Sequence, residues 1–202
     1  MNTIRIIIFI NILVFLAWNI PLPVIDSDFM PLNFLISWDA LSEGRYWTLV
    51  TSAFSHNMFL HIFLNMYVLY SFGNVILMTI GLKRFLWFYF VAGIFSSFAH
   101  AAVSAFILGQ PELPALGASG AIAGIILLFS LLYPKEKILI MGIIPLPAIW
   151  GAVAFIGLDI WGLVAQAGGH GLPIGHGAHL GGALIGILYY LYLRKFLRSR
   201  IV

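Results

Sequence analysis

The sequence predicts an all-α polytopic membrane protein with six transmembrane helices, and three observations carry that prediction. Of its 202 residues, 62% are hydrophobic and only 8% are charged, about a third of the charge usual in a globular chain. No water-soluble surface can be assembled from so few ionic side chains. The apolar residues fall into six long runs, and a bilayer core about 30 Å thick needs about 20 apolar residues per helix. When those runs are threaded through a membrane, nine of the ten Lys and Arg collect on one side, as the positive-inside rule requires. The same composition excludes a disordered chain. The absence of cysteine removes disulfides, thiolate metal sites and cysteine nucleophiles. A net charge of +3, spread one-sidedly along the chain, reads as membrane orientation and not as nucleic-acid contact.

Segment 1 spans about residues 5–22; Arg5 precedes its apolar core, but no A-x-A-like cleavage site follows, so it reads as a retained signal anchor. Segments 2, 3 and 4 span about 55–80, 85–108 and 117–133. Segment 5 lies within 138–166, with its helix start delayed by Pro145 and Pro147, and segment 6 spans about 177–193. With the N-terminus inside, Arg5, Lys83, Arg84, Lys135, Lys137, Arg194, Lys195, Arg198 and Arg200 are all cytoplasmic and Arg45 alone is outside. The expected topology is N-in and C-in. Residues 23–50 form a long first external loop dense in Trp, Phe and Leu, which suits a segment lying in the membrane interface. Residues 1–202 read as a single six-helix domain, with no separate soluble domain.

Polar side chains inside spans are expensive unless partnered, so they are the functional candidates. They are His56, His61 and Asn65 in segment 2, Ser96, Ser97 and His100 in segment 3, Ser119 in segment 4, Asp159 in segment 5 and His179 in segment 6. Ser119 stands in Gly117-Ala118-Ser119-Gly120 at the start of an apolar helix. There the first backbone N–H groups lack intrahelical partners and sit at the positive end of the dipole, which suits an acyl-transfer oxyanion. Taken alone, the motif is more simply a helix cap with small residues for packing. Depth shifts the balance. Ser119, His179 and Asn65 each lie about 15 residues from the inner end of their segments, about 22 Å at 1.5 Å per residue, so one layer receives a hydroxyl, an imidazole and an amide. His61 lies one turn outward on the face of Asn65. Gly120 and Gly124 in segment 4, and Ala178, Gly182 and Gly186 in segment 6, form stripes that read as close helix packing.

These residues resemble the rhomboid family of intramembrane serine proteases over about residues 44–193. The resemblance rests on Gly117-Ala118-Ser119-Gly120, on Ala178-His179-Leu180-Gly181-Gly182, and on His56, His61 and Asn65 at their spacing. It implies a compact bundle in which Ser119 is the nucleophile and His179 its base, a dyad without an acidic third member. It further implies that His61 and Asn65 join the Ser119 N–H in an oxyanion hole, with His56, Gly117 and Gly120 supporting. No cofactor or metal is implied. The implied partners are transmembrane-segment protein substrates and the lipid bilayer, and the oligomeric state is not legible. Two positions depart from the family pattern. Gly44-Arg45-Tyr46-Trp47 lacks the family's Trp-Arg pair, and Ala123 stands where many relatives place an aromatic that stacks on the base.

Other groupings are weaker. Ser96 and His100 are four apart on segment 3, but a mid-helix serine bonds the preceding turn and its neighbouring N–H groups are already used. His170, His176 and His179 invite a metal reading, yet their Gly-rich loop promises no rigid geometry, so His170 and His176 read as polar loop residues near the substrate entrance. Asp159 could complete a triad or be a packing residue, and is left outside the catalytic set. The expectation is therefore an intramembrane serine endopeptidase in a prokaryotic cell membrane, its active site opening to the external side. The alternative is a catalytically silent relative that binds or escorts transmembrane helices. A small transporter is weaker still, since no repeat symmetry supports it.

Overall fold

The computed structural model describes residues 3–20, 27–140 and 144–198. Six long helical segments dominate: α1 (Thr3–Asn19), a continuous segment built from α5 (Phe59–Val68), a π-helical stretch at Leu69–Gly73 and α6 (Asn74–Ile80), then α7 (Leu82–Phe106), α8 (Ser119–Leu132), α9 (Ala148–Ala167) and α10 (His176–Arg198). Between α1 and α5 run the short helices α2 (Phe29–Phe34), α3 (Trp38–Ser42) and α4 (Thr48–Thr51) and a 3₁₀ turn at Ser52–Phe54. Phe59–Ile80, Leu82–Phe106 and Ala148–Ala167 are long and apolar enough to cross a membrane, whereas Thr3–Asn19 and Ser119–Leu132 are apolar but shorter. The helices match the six apolar runs, with segment 2 beginning at Phe59 rather than about residue 55.

Helix α8 sits at the centre because it is apolar on every side, the pattern of a helix with no solvent face; Gly120, Ala121, Ile122, Ala123, Gly124 and Ile125 are all buried. It meets α10 backbone to backbone. A Cβ at Gly182 would overlap the Gly120 carbonyl, and one at Gly186 would lie 2.5 Å from the Gly124 oxygen, so only glycine admits this approach. The side chains of Phe85, Phe88 and Tyr89 on α7 are almost fully buried against the same core. At the far end, Thr79 Oγ1 and Tyr133 Oη lie 2.7 Å apart, tying α6 to the close of α8.

Segment 5 departs from expectation. The prolines do more than delay a helix: Lys137–Ile140 (β1) pairs antiparallel with Ile144–Pro147 (β2), and α9 starts only at Ala148. The β-branched Ile138 and Ile140 suit a strand, and Pro145 and Pro147 are tolerated because a two-stranded ribbon is all edge.

Residues 27–50 of the first loop are held rather than loose. Ile36 and Ala115 form a bridge with N–H to O distances of 3.0 and 2.8 Å, and Trp38 packs edge-on against Phe106 at 4.5 Å between ring centroids. Arg45 donates to Glu43 Oε2 at 2.6 Å and to the Leu32 carbonyl at 3.2 Å. Phe29, Leu32, Tyr46 and Trp47 remain exposed, as an interfacial segment requires.

Candidate active site

Ser119 is the first residue of α8, following a turn that other elements pin in place. Gly117 has φ +123°, a conformation that L side chains rarely adopt. A Cβ there would also lie 2.7 Å from His61 Cε1 and 2.9 Å from its Nε2. The Gly117 N–H donates to the Ser52 carbonyl at 2.8 Å, and the Ala118 N–H donates to His56 Nε2 at 3.4 Å. His56 is fully buried, and burial holds its pKa down to about 3, well below the usual imidazole value; it is a neutral acceptor. The first intrahelical bond runs from the Ile122 N–H to the Ala118 carbonyl at 3.0 Å. The N–H groups of Ser119, Gly120 and Ala121 come before it, at the electropositive helix end.

Across from this turn, Ser119 Oγ lies 3.0 Å from His179 Nε2, the residue pair that the sequence placed at one depth. The approach depends on small residues: a Cβ at Gly120 would strike the Ser96 side chain and lie 3.2 Å from the Ala178 carbonyl. On its other side, His179 Nδ1 lies 2.9 Å from Asp159 Oδ1. The expected pair without an acidic neighbour is thus corrected: α9 begins late enough to bring Asp159 level with His179. One turn earlier on α9, Phe155 faces the His179 ring at 5.6 Å between centroids and 31° between planes, which supplies the aromatic contact that Ala123 cannot.

His176 is also corrected. It is the first residue of α10 and not a loop residue; it is buried, and its Nδ1 lies 2.7 Å from the same Asp159 Oδ1. Gly162 makes room for it, since a Cβ there would collide with the His176 ring. Asp159 is buried to 4% exposure, and its Oδ2 has no hydrogen-bond partner among the described residues. His170 is exposed and stands apart from this cluster.

His61 and Asn65 on α5 line one cavity of about 720 Å³ together with Ser119, His179 and Phe155, within the range of ordinary ligand sites. Asn65 is buried and donates through Nδ2 to the His61 carbonyl at 3.0 Å. The His56 and His61 rings meet edge-on at 4.9 Å. The π-helical stretch below Asn65 has a smaller rise per residue than an α-helix, so counting residues up from Ile80 sets Asn65 slightly too high. Ser96 Oγ donates to the Gly93 carbonyl at 2.8 Å, the bond to the preceding turn expected of it. His100 Nε2 lies 3.1 Å from the Leu113 carbonyl and 3.3 Å from Ser104 Oγ, so it braces the loop before α8.

Asp159 and His176 are the two site residues that are hardest to place from the sequence. The available signals were helical spacings: Phe155 and Asp159 are four apart on α9, and His176 and His179 three apart on α10, so each pair shares a face. What the sequence did not reveal was the start of α9, which sets that face against His179.

Fold and site together define a helical membrane protein in which a hydroxyl, an imidazole and a carboxylate line up at the mouth of a central helix. The chain belongs to the rhomboid family: residues 43–196 match the family model described as "Rhomboid domain". It is 35% identical over 195 residues to RHOMBOID-like protein 12, mitochondrial, of Arabidopsis thaliana, covering 90% of this chain and 55% of that protein. It is 35% identical over 199 residues to Rhomboid protein 1, mitochondrial, of Saccharomyces cerevisiae, covering 92% of this chain and 51% of the relative. The Homo sapiens presenilin-associated rhomboid-like protein, mitochondrial, is 32% identical over 193 residues, with 95% and 48% covered. The chain spans about half the length of these relatives. Their names correct one expectation: all are mitochondrial, which overturns the prokaryotic cell membrane expected from the sequence.

Proposed function

We propose that the chain is an intramembrane serine endopeptidase that cleaves peptide bonds in or near the transmembrane segments of other membrane proteins. The observation that carries this reading is Ser119 Oγ at 3.0 Å from His179 Nε2, at a helix N-terminus and on an open cavity. With its Nδ1–H donated to Asp159 Oδ1, His179 is held in the tautomer whose Nε2 is a lone-pair acceptor. That nitrogen takes the Ser119 proton as Oγ forms a bond to the scissile carbonyl carbon. Negative charge then falls on the former carbonyl oxygen, and the Ser119 N–H with Asn65 and His61 supplies donors for it. Collapse of the intermediate breaks the C–N bond, and His179 passes its proton to the departing amine. Water repeats the sequence to release the acid and restore Ser119.

A peptide bond inside a membrane helix is hydrogen-bonded and shielded, so the substrate must unwind locally to enter the cavity. No observation favours the silent alternative, since both reacting side chains are present at bonding distance. The names of the matched relatives favour a mitochondrial-type membrane as the setting. The test is to reconstitute the purified chain in liposomes with single-span peptides and map products by mass spectrometry. Cuts within or beside the span, absent with Ser119→Ala, support the reading; intact peptides with folded wild-type protein contradict it.

A further inference from the structure

The proposed mechanism uses both nitrogens of His179 and one oxygen of Asp159, and leaves a second imidazole and a second oxygen unexplained. Asp159 Oδ1 takes both the His176 and the His179 Nδ1 at 2.7 and 2.9 Å, while its Oδ2 is buried with no hydrogen-bond partner among the described residues. Burying a carboxylate oxygen unpaired is costly. Ligand atoms of Asp159, His176 and His179 all lie within 4.8 Å of one another, and two imidazoles with one carboxylate is a donor set that holds zinc with an open coordination position. The sequence-level objection, a glycine loop without rigid geometry, does not apply: all three ligands stand on α9 and α10, and Gly162 is shaped to receive the His176 ring.

We propose that Asp159, His176 and His179 form an inhibitory site for a divalent cation of the zinc type. Zinc bonds of about 2.0–2.2 Å put tetrahedral ligands about 3.3 Å apart, so the cluster needs only small shifts around the ion. Coordination takes the Nδ1 lone pair of each histidine and moves that proton to Nε2. On His179 the result is decisive, because a protonated Nε2 donates toward Ser119 Oγ and can no longer accept its proton. The metal also takes the Asp159 carboxylate that held the productive tautomer. Zinc thus switches the protease off without entering the Ser119 side of the cavity. The inhibitory half of the proposal rests on the proposed function; the binding half does not.

The test therefore reads binding and activity separately. Purified full-length Ser119→Ala protein in micelles, which keeps the site and has no nucleophile, is titrated with cobalt(II) as a spectroscopic probe and with zinc against a chromophoric chelator. One equivalent bound per chain, with the visible bands of low-coordinate cobalt, is expected. His176→Ala, checked for folding by its melting curve, is expected to weaken zinc binding about 100-fold or more. In wild type, proteolysis or serine-probe labelling should fall as zinc fills the site and return on chelation, and residual His176→Ala activity should resist the same zinc. Absence of cobalt bands in Ser119→Ala overturns the site, whatever the protease assay shows. Undiminished zinc affinity in His176→Ala overturns it too, as the ion would then sit elsewhere, at the exposed His170 for example. Stoichiometric binding with unchanged wild-type activity overturns the switch.

Discussion

Helix α10 is held by its two neighbours in opposite ways. Toward α8 its close approach is made through glycine: Gly182 and Gly186 lie against the carbonyls of Gly120 and Gly124, and the contact there is backbone on backbone. Toward α9 it offers side chains, with His176 and His179 converging on Asp159 and Phe155 closing over the His179 ring. The first contact fixes where the helix lies and hence brings the His179 backbone to Ser119. The second fixes how the imidazole is turned and which nitrogen carries the proton. Position is set by the absence of atoms and orientation by a polar network, so the two can be broken separately.

The largest effect is expected from breaking position. Gly182→Val puts side-chain carbons where the Gly120 carbonyl now sits, and overpacking of this kind costs about 3 kcal/mol or more. A thermal melt in micelles should show strong destabilisation, and cleavage should vanish with it. Ser119→Ala and His179→Ala should also abolish cleavage, yet leave the melt near wild type, because neither alters the glycine seam. Asp159→Asn attacks orientation alone. An amide can hold His179 in the wrong tautomer, and the expected loss is about 10²–10⁴-fold in kcat with little change in KM. Asn65→Ala removes one oxyanion donor and should cost about 10²–10³-fold in kcat, with Ser119 still open to acylation; an unchanged kcat would remove Asn65 from the site.

The smallest effect concerns His56 and pH. Folded His56 stays neutral down to a pKa of about 3, whereas in the unfolded chain it takes up a proton near 6.5. The unfolded state binds more protons between those values, so the contribution of His56 is complete above pH 6.5 and is lost as pH falls toward 3. The stability difference between wild type and His56→Gln should therefore shrink on acidification from pH 7 to pH 4. A difference constant across that range would mean that His56 is not buried in its neutral form.

The two contacts of α10 also differ in how legible they are in the sequence. Glycines every fourth residue and a serine at the head of an apolar helix are local patterns, and counting residues from the helix ends is enough to put Ser119 and His179 at one depth. The orienting network depends on a single boundary. Lys137–Ile140 and Ile144–Pro147 lie inside an apolar run with no alternation to mark them as strands, and their antiparallel pairing moves the start of α9 to Ala148. That boundary decides whether Asp159 and Phe155 reach His179, and two prolines could not place it to within a turn. His176 is hard to place for a related reason, since the glycines before it hide the helix start on which it sits. Gly117 and His56 were legible as support only through family resemblance, because the fit of Gly117 to the His61 ring is a tertiary contact with no periodicity in the sequence.

The most direct measurement is labelling of the purified chain by a fluorophosphonate, a reagent that phosphonylates only an activated serine, with the modified residue located by mass spectrometry. Ser119 should be modified alone and to near completion in wild type, not at all in Ser119→Ala, far more slowly in His179→Ala, and at a reduced but measurable rate in Asp159→Asn. Labelling of Ser119 at an undiminished rate in His179→Ala, or no labelling of folded wild-type protein, would show that the 3.0 Å contact is a packing contact and not a base activating its nucleophile.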